Sequence, residues 1–295
     1  MNAPCGKGGL AVTPLLRFEW TKMAGRRIFG VPFLVLALVV ALIVTVFHHV
    51  QFKHMLALFQ ALHVNLSSKG DFVNAYYMAA HAMNPVFQLL IPIFITVAAG
   101  LMVAGEAEDG TLRACLVRPV SRRRLLLTKF ELLAGYSLAL SFFYLALLLT
   151  SGVLNFGTGN LYTLNIIFHN GDEGVSTVLE AEAPLRFLYA GLVATLGMMV
   201  LASLALLVSA LVETAAMAYV VTLSIYFAAM TLRFLTGLDW LYPYLFVTHM
   251  LSWQQCFYSY PKWGDIYVSM VHLAAYVIVF LCAAILLFEE RDIKS

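Results

Sequence analysis

Six stretches of mostly apolar residues constrain this chain more than any other feature. A helix needs about 20 such residues to cross ~30 Å of hydrocarbon. The stretches run Ile28 to Phe47, Pro85 to Val103, Phe130 to Ser151, Phe187 to Leu211, Ala215 to Leu232 and Ile266 to Phe288. The chain has 295 residues, 62% hydrophobic and 12% charged. Soluble domains carry about 25% charged residues, so this balance cannot clothe a water-facing surface. It also excludes disorder, collagen-like repeats, small disulfide scaffolds and most soluble enzymes. The expected fold class is an all-α integral membrane protein with six transmembrane helices. Residues 1–27 form a cytoplasmic N-terminus, 28–288 the six-span domain and 289–295 a cytoplasmic tail. No small-residue cleavage site follows the basic leader, so the first span reads as a retained signal anchor.

Orientation follows from Lys and Arg near the span ends. One side receives Lys7, Arg17, Lys22, Arg26, Arg27, Arg113, Arg118, Arg122, Arg123, Arg124, Lys129, Arg291 and Lys294. The other receives only Lys53, Lys69, Arg186, Arg233 and Lys262. Both termini are therefore expected in the cytoplasm. The segment Pro14 to Arg27 places Leu16, Trp20 and Met23 on one helical face, with Arg17, Thr21 and Lys22 largely elsewhere. This predicts an amphipathic helix lying along the interface. Acidic and basic side chains stop at the rims, at Glu131, Glu213 and Arg233, and His272 is the one titratable candidate well inside a span. Ion-coupled carriers and proton pumps use buried ionisable relays, so the pattern speaks against them.

Between spans two and three lies the most informative segment, Glu106 to Lys129, EAEDGTLRACLVRPVSRRRLLLTK. Three acidic residues precede Gly110-Thr111, a helical stretch Leu112 to Val117 meets Pro119, and Ser121 is placed to cap a helix starting at Arg122. The expected product is a helix–turn–helix elbow just below the membrane. Its charges, with Leu112 and Leu116, suit docking into a groove on another protein. A loop that only sets topology is the simpler alternative on composition.

The order of residues here closely resembles the signature of ABC-2-type transporter permeases. Glu106, Gly110, Thr111, Leu112, Leu116, Pro119, Val120, Ser121, Arg122 and Lys129 fill that pattern. Thr128 departs from it, standing where a small Gly or Ala is expected. The ending Phe288 to Ile293 and the stretch Pro243 to Met250 are also similar to that family. The resemblance implies that the elbow is a coupling helix seated in a cleft of an ATP-binding subunit. Glu106, Gly110, Thr111, Arg113, Arg118, Pro119, Ser121 and Arg122 become its contact candidates. It further implies two copies of an ABC ATP-binding subunit, which bind ATP and Mg, and a second permease chain in a homodimer or related heterodimer. The setting would be a plasma membrane, that of a bacterium, with lipid as the surrounding partner. This chain carries no ATPase motif of its own, because Cys5-Gly6-Lys7-Gly8-Gly9 lacks the spacing of a phosphate-binding loop. It is expected to be no enzyme and to hold no cofactor.

Other chemistry finds less footing. No HExxH or G-x-S-x-G motif occurs, and no basic, aromatic-interleaved surface points to nucleic acid. His48, His49, His54, His63 and His81 gather between spans one and two, where a metal site would need three or four ordered ligands; loop histidines are the simpler reading. Cys5, Cys115, Cys256 and Cys282 are far apart and signal neither zinc nor a redox pair. Aromatic residues from Trp240 to Trp263 fit an interfacial belt, or short helices closing the exit of a pathway. Small residues on span four, Gly191, Ala194, Gly197, Ala202, Ser203 and Ser209, permit close helix approach, within the chain or across a dimer. The expected function is the permease subunit of an exporter for a hydrophobic or amphipathic substrate such as a drug, peptide or lipid. A membrane scaffold or sensor that docks a cytoplasmic ATPase, and a metal-handling protein, are the alternatives.

Overall fold

Without water, backbone amides and carbonyls in an apolar stretch have only each other as partners, so each stretch winds into helix. The structure, a computed structural model, describes residues 12–51, 74–110, 121–164, 175–233, 235, 237 and 239–290. Among these, six helices are long and apolar enough to cross a membrane: Arg27–His49, Ala75–Glu108, Arg122–Phe156, Ala183–Leu211, Ala215–Leu232 and Trp263–Glu290. The protein is a mostly helical, multi-pass membrane protein. In chain order its α-helices are α1 (Val12–Gly25), α2 (Val31–Val46), α3 (Ala75–Pro85), α4 (Ile91–Glu108), α5 (Arg122–Phe156), α6 (Ala183–Leu211), α7 (Ala215–Leu232), α8 (Phe246–Met250) and α9 (Trp263–Glu290).

Only α7 keeps the bounds that hydropathy predicted; the other spans run further. The 35 residues of α5 extend about 52 Å at ~1.5 Å each, against a hydrocarbon layer of ~30 Å. Hydropathy reports the apolar slab, and the helix does not stop where the slab does. At its start Ser121 caps α5 through a hydrogen bond from the Arg124 amide.

The second span is jointed. Pro85 ends α3, a wide π-turn covers Val86–Leu90, and α4 begins at Ile91 with Pro92 in its first turn. Prolines remove backbone donors, and the carbonyls left over need other partners. Gln88 O faces Pro92, which has no N–H, and Tyr226 of α7 donates to it at 2.8 Å. The Val86 amide turns to Met83 O, which frees Ala82 O for the Tyr144 hydroxyl of α5 at 2.8 Å. Two phenols from neighbouring spans thus satisfy the joint.

Helix α6 lies at the centre, packed against α9, α4 and α5. Its small residues are buried within the chain. A Cβ on Gly191 would meet Leu145 and Phe142 of α5, and one on Gly197 would meet Met250 of α8. This answers the packing question that the span-four glycines pose. The outer faces of α2 carry exposed Leu34, Leu38 and Leu42, four residues apart, opposite buried Leu36 and Val40. Such a stripe faces lipid.

The bundle has two unlike ends. At one, α1 packs on α5, and the last turn of α9 meets Arg122. At the far end, a two-stranded antiparallel sheet pairs β1 (Leu161–Leu164) with β2 (Val175–Val178) in the register Leu161 to Val178. Beside it α8 lies between 3-10 turns at Asp239–Tyr244 and Ser252–Phe257. Thr163 donates to Phe257 O at 3.2 Å, and the Arg186 guanidinium donates to Cys256 O and Tyr258 O at 3.1 and 3.2 Å. The short helices expected between Trp240 and Trp263 are therefore present, pinned as a cap over α6 and α9.

Candidate functional site

Helix α1 brings Glu19, Lys22 and Met23 to one face, because residues three and four apart stack along a helix, and Arg26 follows just beyond its end. That face turns toward the bundle. Glu19 is 1% exposed and Met23 is buried beside it, whereas Trp20 is 53% exposed, with Arg17 and Phe18. Of the face predicted from apolar residues, Met23 and the half-buried Leu16 turn to the core and Trp20 does not. Ion pairing across the chain, absent from any local periodicity, seats the Glu19 carboxylate inward beside them.

Opposite α1 stand Glu106 in the last turn of α4 and Lys129 on the third turn of α5. Lys22 Nζ lies 2.6 Å from Glu106 Oε1, and Lys129 Nζ lies 2.9 Å from both Glu106 Oε2 and Glu19 Oε2. Two carboxylates and two ammonium groups make a chain, Lys22–Glu106–Lys129–Glu19, with no net charge. Desolvating ions costs several kcal/mol each, and only close pairing offsets it; here the alternation of sign supplies that pairing. At the exposed edge, Arg26 reaches Asp109 Oδ2 at 3.2 Å. A surface pair of this kind adds at most about 1 kcal/mol.

Further contacts draw in the remaining helices at this end. Glu108 Oε2 accepts from the Ala215 amide at 3.1 Å, an acid at the N-terminus of α7. Arg122 Nη1 donates to Phe288 O and Glu289 O at 3.3 and 3.1 Å, a cation at the C-terminus of α9. Both signs suit the helix dipole. Helices α1, α4, α5, α7 and α9 are therefore all tied to the two sides of residues 111–120. Gly110 closes α4 at φ +69° with its amide on Ala107 O at 3.1 Å, a left-handed position that glycine fills without strain.

The candidates named from the motif fall into three groups. Glu106 is 3% exposed, with its carboxylate turned onto Lys22 and Lys129, so it is a tie within the chain and offers no open face to a partner. Gly110, Ser121 and Arg122 lie at the two ends of the elbow, and Ser121 is exposed. Thr111, Arg113, Arg118 and Pro119 lie outside the described residues, as does the helical stretch Leu112 to Val117. Glu19, Lys22 and Lys129 were missed as site residues. Their one signal was an acid and a base three residues apart within an otherwise apolar-faced helix, and a lysine opening an apolar span.

Among the described residues, the histidines between spans one and two form no metal site. His48 and His49 are exposed at the far end of α2. The His81 ring is held by the Tyr77 carbonyl at 3.0 Å from Nδ1, while His54 and His63 lie outside the described residues. Among the described residues no three His, Cys, Asp or Glu side chains are placed to hold a metal ion. Cys256 is buried and Cys282 exposed; Cys5 and Cys115 lie outside the described residues.

Comparison with known proteins returns relatives without assigned activity. The chain is similar to "Uncharacterized protein YhcI" of Bacillus subtilis (strain 168), 29% identical over 215 residues, covering 71% of this chain and 66% of that protein. The match thus spans just under two thirds of that relative's length. Residues 34–294 match the family described as "Protein of unknown function (DUF2705)", and the chain belongs to that family.

Proposed function

We propose that this chain is the permease subunit of an ATP-driven ABC exporter, working as a dimer and docking separate ATP-binding subunits on the elbow between Glu106 and Lys129. The observation that best supports this reading is the chain of ion pairs flanking the elbow. Glu106 before it and Lys129 after it are bonded to each other and to α1, while Arg122 grips the end of α9. In this reading α1 lies along the cytoplasmic interface and both termini are cytoplasmic. Thr111, Arg113, Arg118 and Pro119 form the docking surface, with Gly110, Ser121 and Arg122 setting its ends. Closure of the ATP-binding subunits would push on the elbow. The ties would pass that push to α4, α5 and α9 together, because low compressibility lets packed helices transmit strain. ATP and Mg belong to the partner subunits.

Substrate class follows from the spans. Among the described residues, Glu131 is the only acid or base deeper in α5 than Lys129, and α2, α6 and α7 carry none between Arg186 and Leu232 or along Val31–Val46. A pathway between such helices suits a hydrophobic or amphipathic compound, such as a drug, peptide or lipid. The test is a gentle detergent pull-down from the native host, with mass spectrometry and an ATPase assay. A stoichiometric partner with a phosphate-binding loop and ATPase activity is the expected result; a partnerless chain overturns the reading. Gly110→Pro and Arg118→Glu should insert normally and lose that partner.

A further inference from the structure

At the far end, α8 carries His249 against α9. His249 is 8% exposed, and both ring nitrogens are engaged. Nε2 lies 3.0 Å from Pro243 O, and Nδ1 lies 3.2 Å from Ser269 Oγ. A carbonyl can only accept, so Nε2 carries a proton, and in the neutral ring Nδ1 accepts from the Ser269 hydroxyl. The neutral ring thus has one defined tautomer. His272 of α9 lies face to face with it, ring centroids 4.4 Å apart and planes 1° from parallel. His272 donates from Nδ1 to Val268 O at 2.8 Å and is exposed.

We propose that the His249–His272 stack is a proton-operated latch, which when neutral holds the α8 cap on α9 and when protonated at His249 lets the cap loosen.

The chemistry runs through one atom. A proton on Nδ1 of His249 turns an acceptor into a donor, so the Ser269 hydroxyl must reverse. The new charge is buried and stacked on a second imidazole. Like charges this close repel outside bulk water, so His272 weakens the hold of His249 on that proton. Among the described side chains, the other titratable groups around α8 do not relieve the charge. Tyr276 of α9 spends its hydroxyl on Tyr244 O at 2.6 Å, and Tyr242 of the preceding turn donates to Leu235 O at 3.0 Å. Helix α6 offers Gly197 beneath α8, and α7 carries no Asp, Glu, Lys, Arg or His along its length, its Tyr226 hydroxyl being spent on Gln88 O. Arg233, just beyond α7, feels Tyr242 and Tyr258; Cys256 of the following turn is neutral. Burial, first, and His272 hold His249 below the usual imidazole range, against an opposing pull from the Pro243 carbonyl. The closed cap thus binds fewer protons than the open one. Its closure is complete above the ordinary imidazole value and weakens as pH falls below it.

The chain carries its own reporter. Cys256 sits six residues after the cap helix ends, 0% exposed, its thiol pushed up to about 12 chiefly by burial. It reacts when the cap opens. The full chain, purified in detergent with Cys5, Cys115 and Cys282 changed to serine, would be treated with N-ethylmaleimide at pH 7.5 and pH 5.5. Each rate is divided by that of the same chain unfolded in SDS, which removes the intrinsic pH dependence of the thiol. The relative rate should rise at pH 5.5, by at most about tenfold, since that pH is roughly one unit below the ordinary imidazole value. His249→Phe should abolish that rise. If it fails to fold, His249→Gln retains a donor for Pro243 and an acceptor for Ser269 without a titratable ring. His272→Phe keeps the stack, removes the like charge that helps to hold His249 low, and should make the rise smaller. A stack with only a structural role would change the rate equally at both pH values. An unchanged pH dependence in the His249 variants, or none in the parent chain, overturns the proposal.

Discussion

Replacing Lys129 by methionine removes the one cation that two carboxylates share. Methionine fills much the same volume, so the loss is electrostatic. Glu106 keeps Lys22 at 2.6 Å. Glu19, buried to 1% exposure, loses the only ion pair it makes among the described residues. Stranding one member of a buried pair costs about 3–5 kcal/mol, and here nearly all of it falls on Glu19. The compensating change is Glu19→Gln. In the double variant the Lys22–Glu106 pair stays neutral, and what remains is a buried amide in need of a partner, at about 1–3 kcal/mol. The double variant should therefore recover about 2 kcal/mol relative to Lys129→Met alone. The assay is unfolding of the purified chain by SDS in mixed micelles, followed by helical circular dichroism. A double variant no more stable than Lys129→Met, beyond about 0.5 kcal/mol of non-additivity, would refute the coupling and with it the assignment of the knot as a charge-balanced unit.

Two further outcomes follow from named contacts. Arg122→Ala removes the cation from the carbonyls that end α9 and should cost about 0.3–2 kcal/mol; amide exchange over residues 285–290 should speed up, and an unchanged last turn would count against the cap. Gly152→Ala sets a Cβ 3.1 Å from the Ala75 Cα and 3.0 Å from its Cβ, so α3 has to move, at about 1–3 kcal/mol. Gly191→Ala meets first the Leu145 Cδ1 at 2.5 Å, the far end of a side chain that can rotate, and gains about 1 kcal/mol of helix propensity. Thermal unfolding should rank Gly152→Ala as the worse variant; the reverse order would show that α3 yields more easily than Leu145.

The spans were legible because hydropathy depends on composition alone, and the Ala215 to Leu232 helix could be placed to the residue. The ends of α5 were not, since Arg122 and Phe156 lie beyond the apolar slab that hydropathy detects. Ser121 as a cap was readable, a local matter of one hydroxyl and an amide three residues on. The inward turn of Glu19 was not, because its partner Lys129 is 110 residues away and nothing near Glu19 announces it. His272 was visible as a lone titratable group, but its stacking partner is on another element, so the pair emerges only with α8 folded against α9. The joint at Pro85 and Pro92 was not read, since hydropathy starts span two at Pro85; the phenols of Tyr144 and Tyr226 that satisfy it come from separate spans and leave no mark in the local pattern.

The ion-pair knot also imposes an order on how the molecule is made. Glu19 and Glu106 both emerge before Lys129, and until it appears they have Lys22 alone between them. The interval from Glu19 to Lys129 is 110 residues, roughly 5–20 s at ~5–20 residues per second of synthesis. During that time α1 has no charge-balanced seat, and a buried docking would strand a carboxylate. Helix α1 is thus held in waiting, and α5, by delivering one ammonium group, is what brings it home.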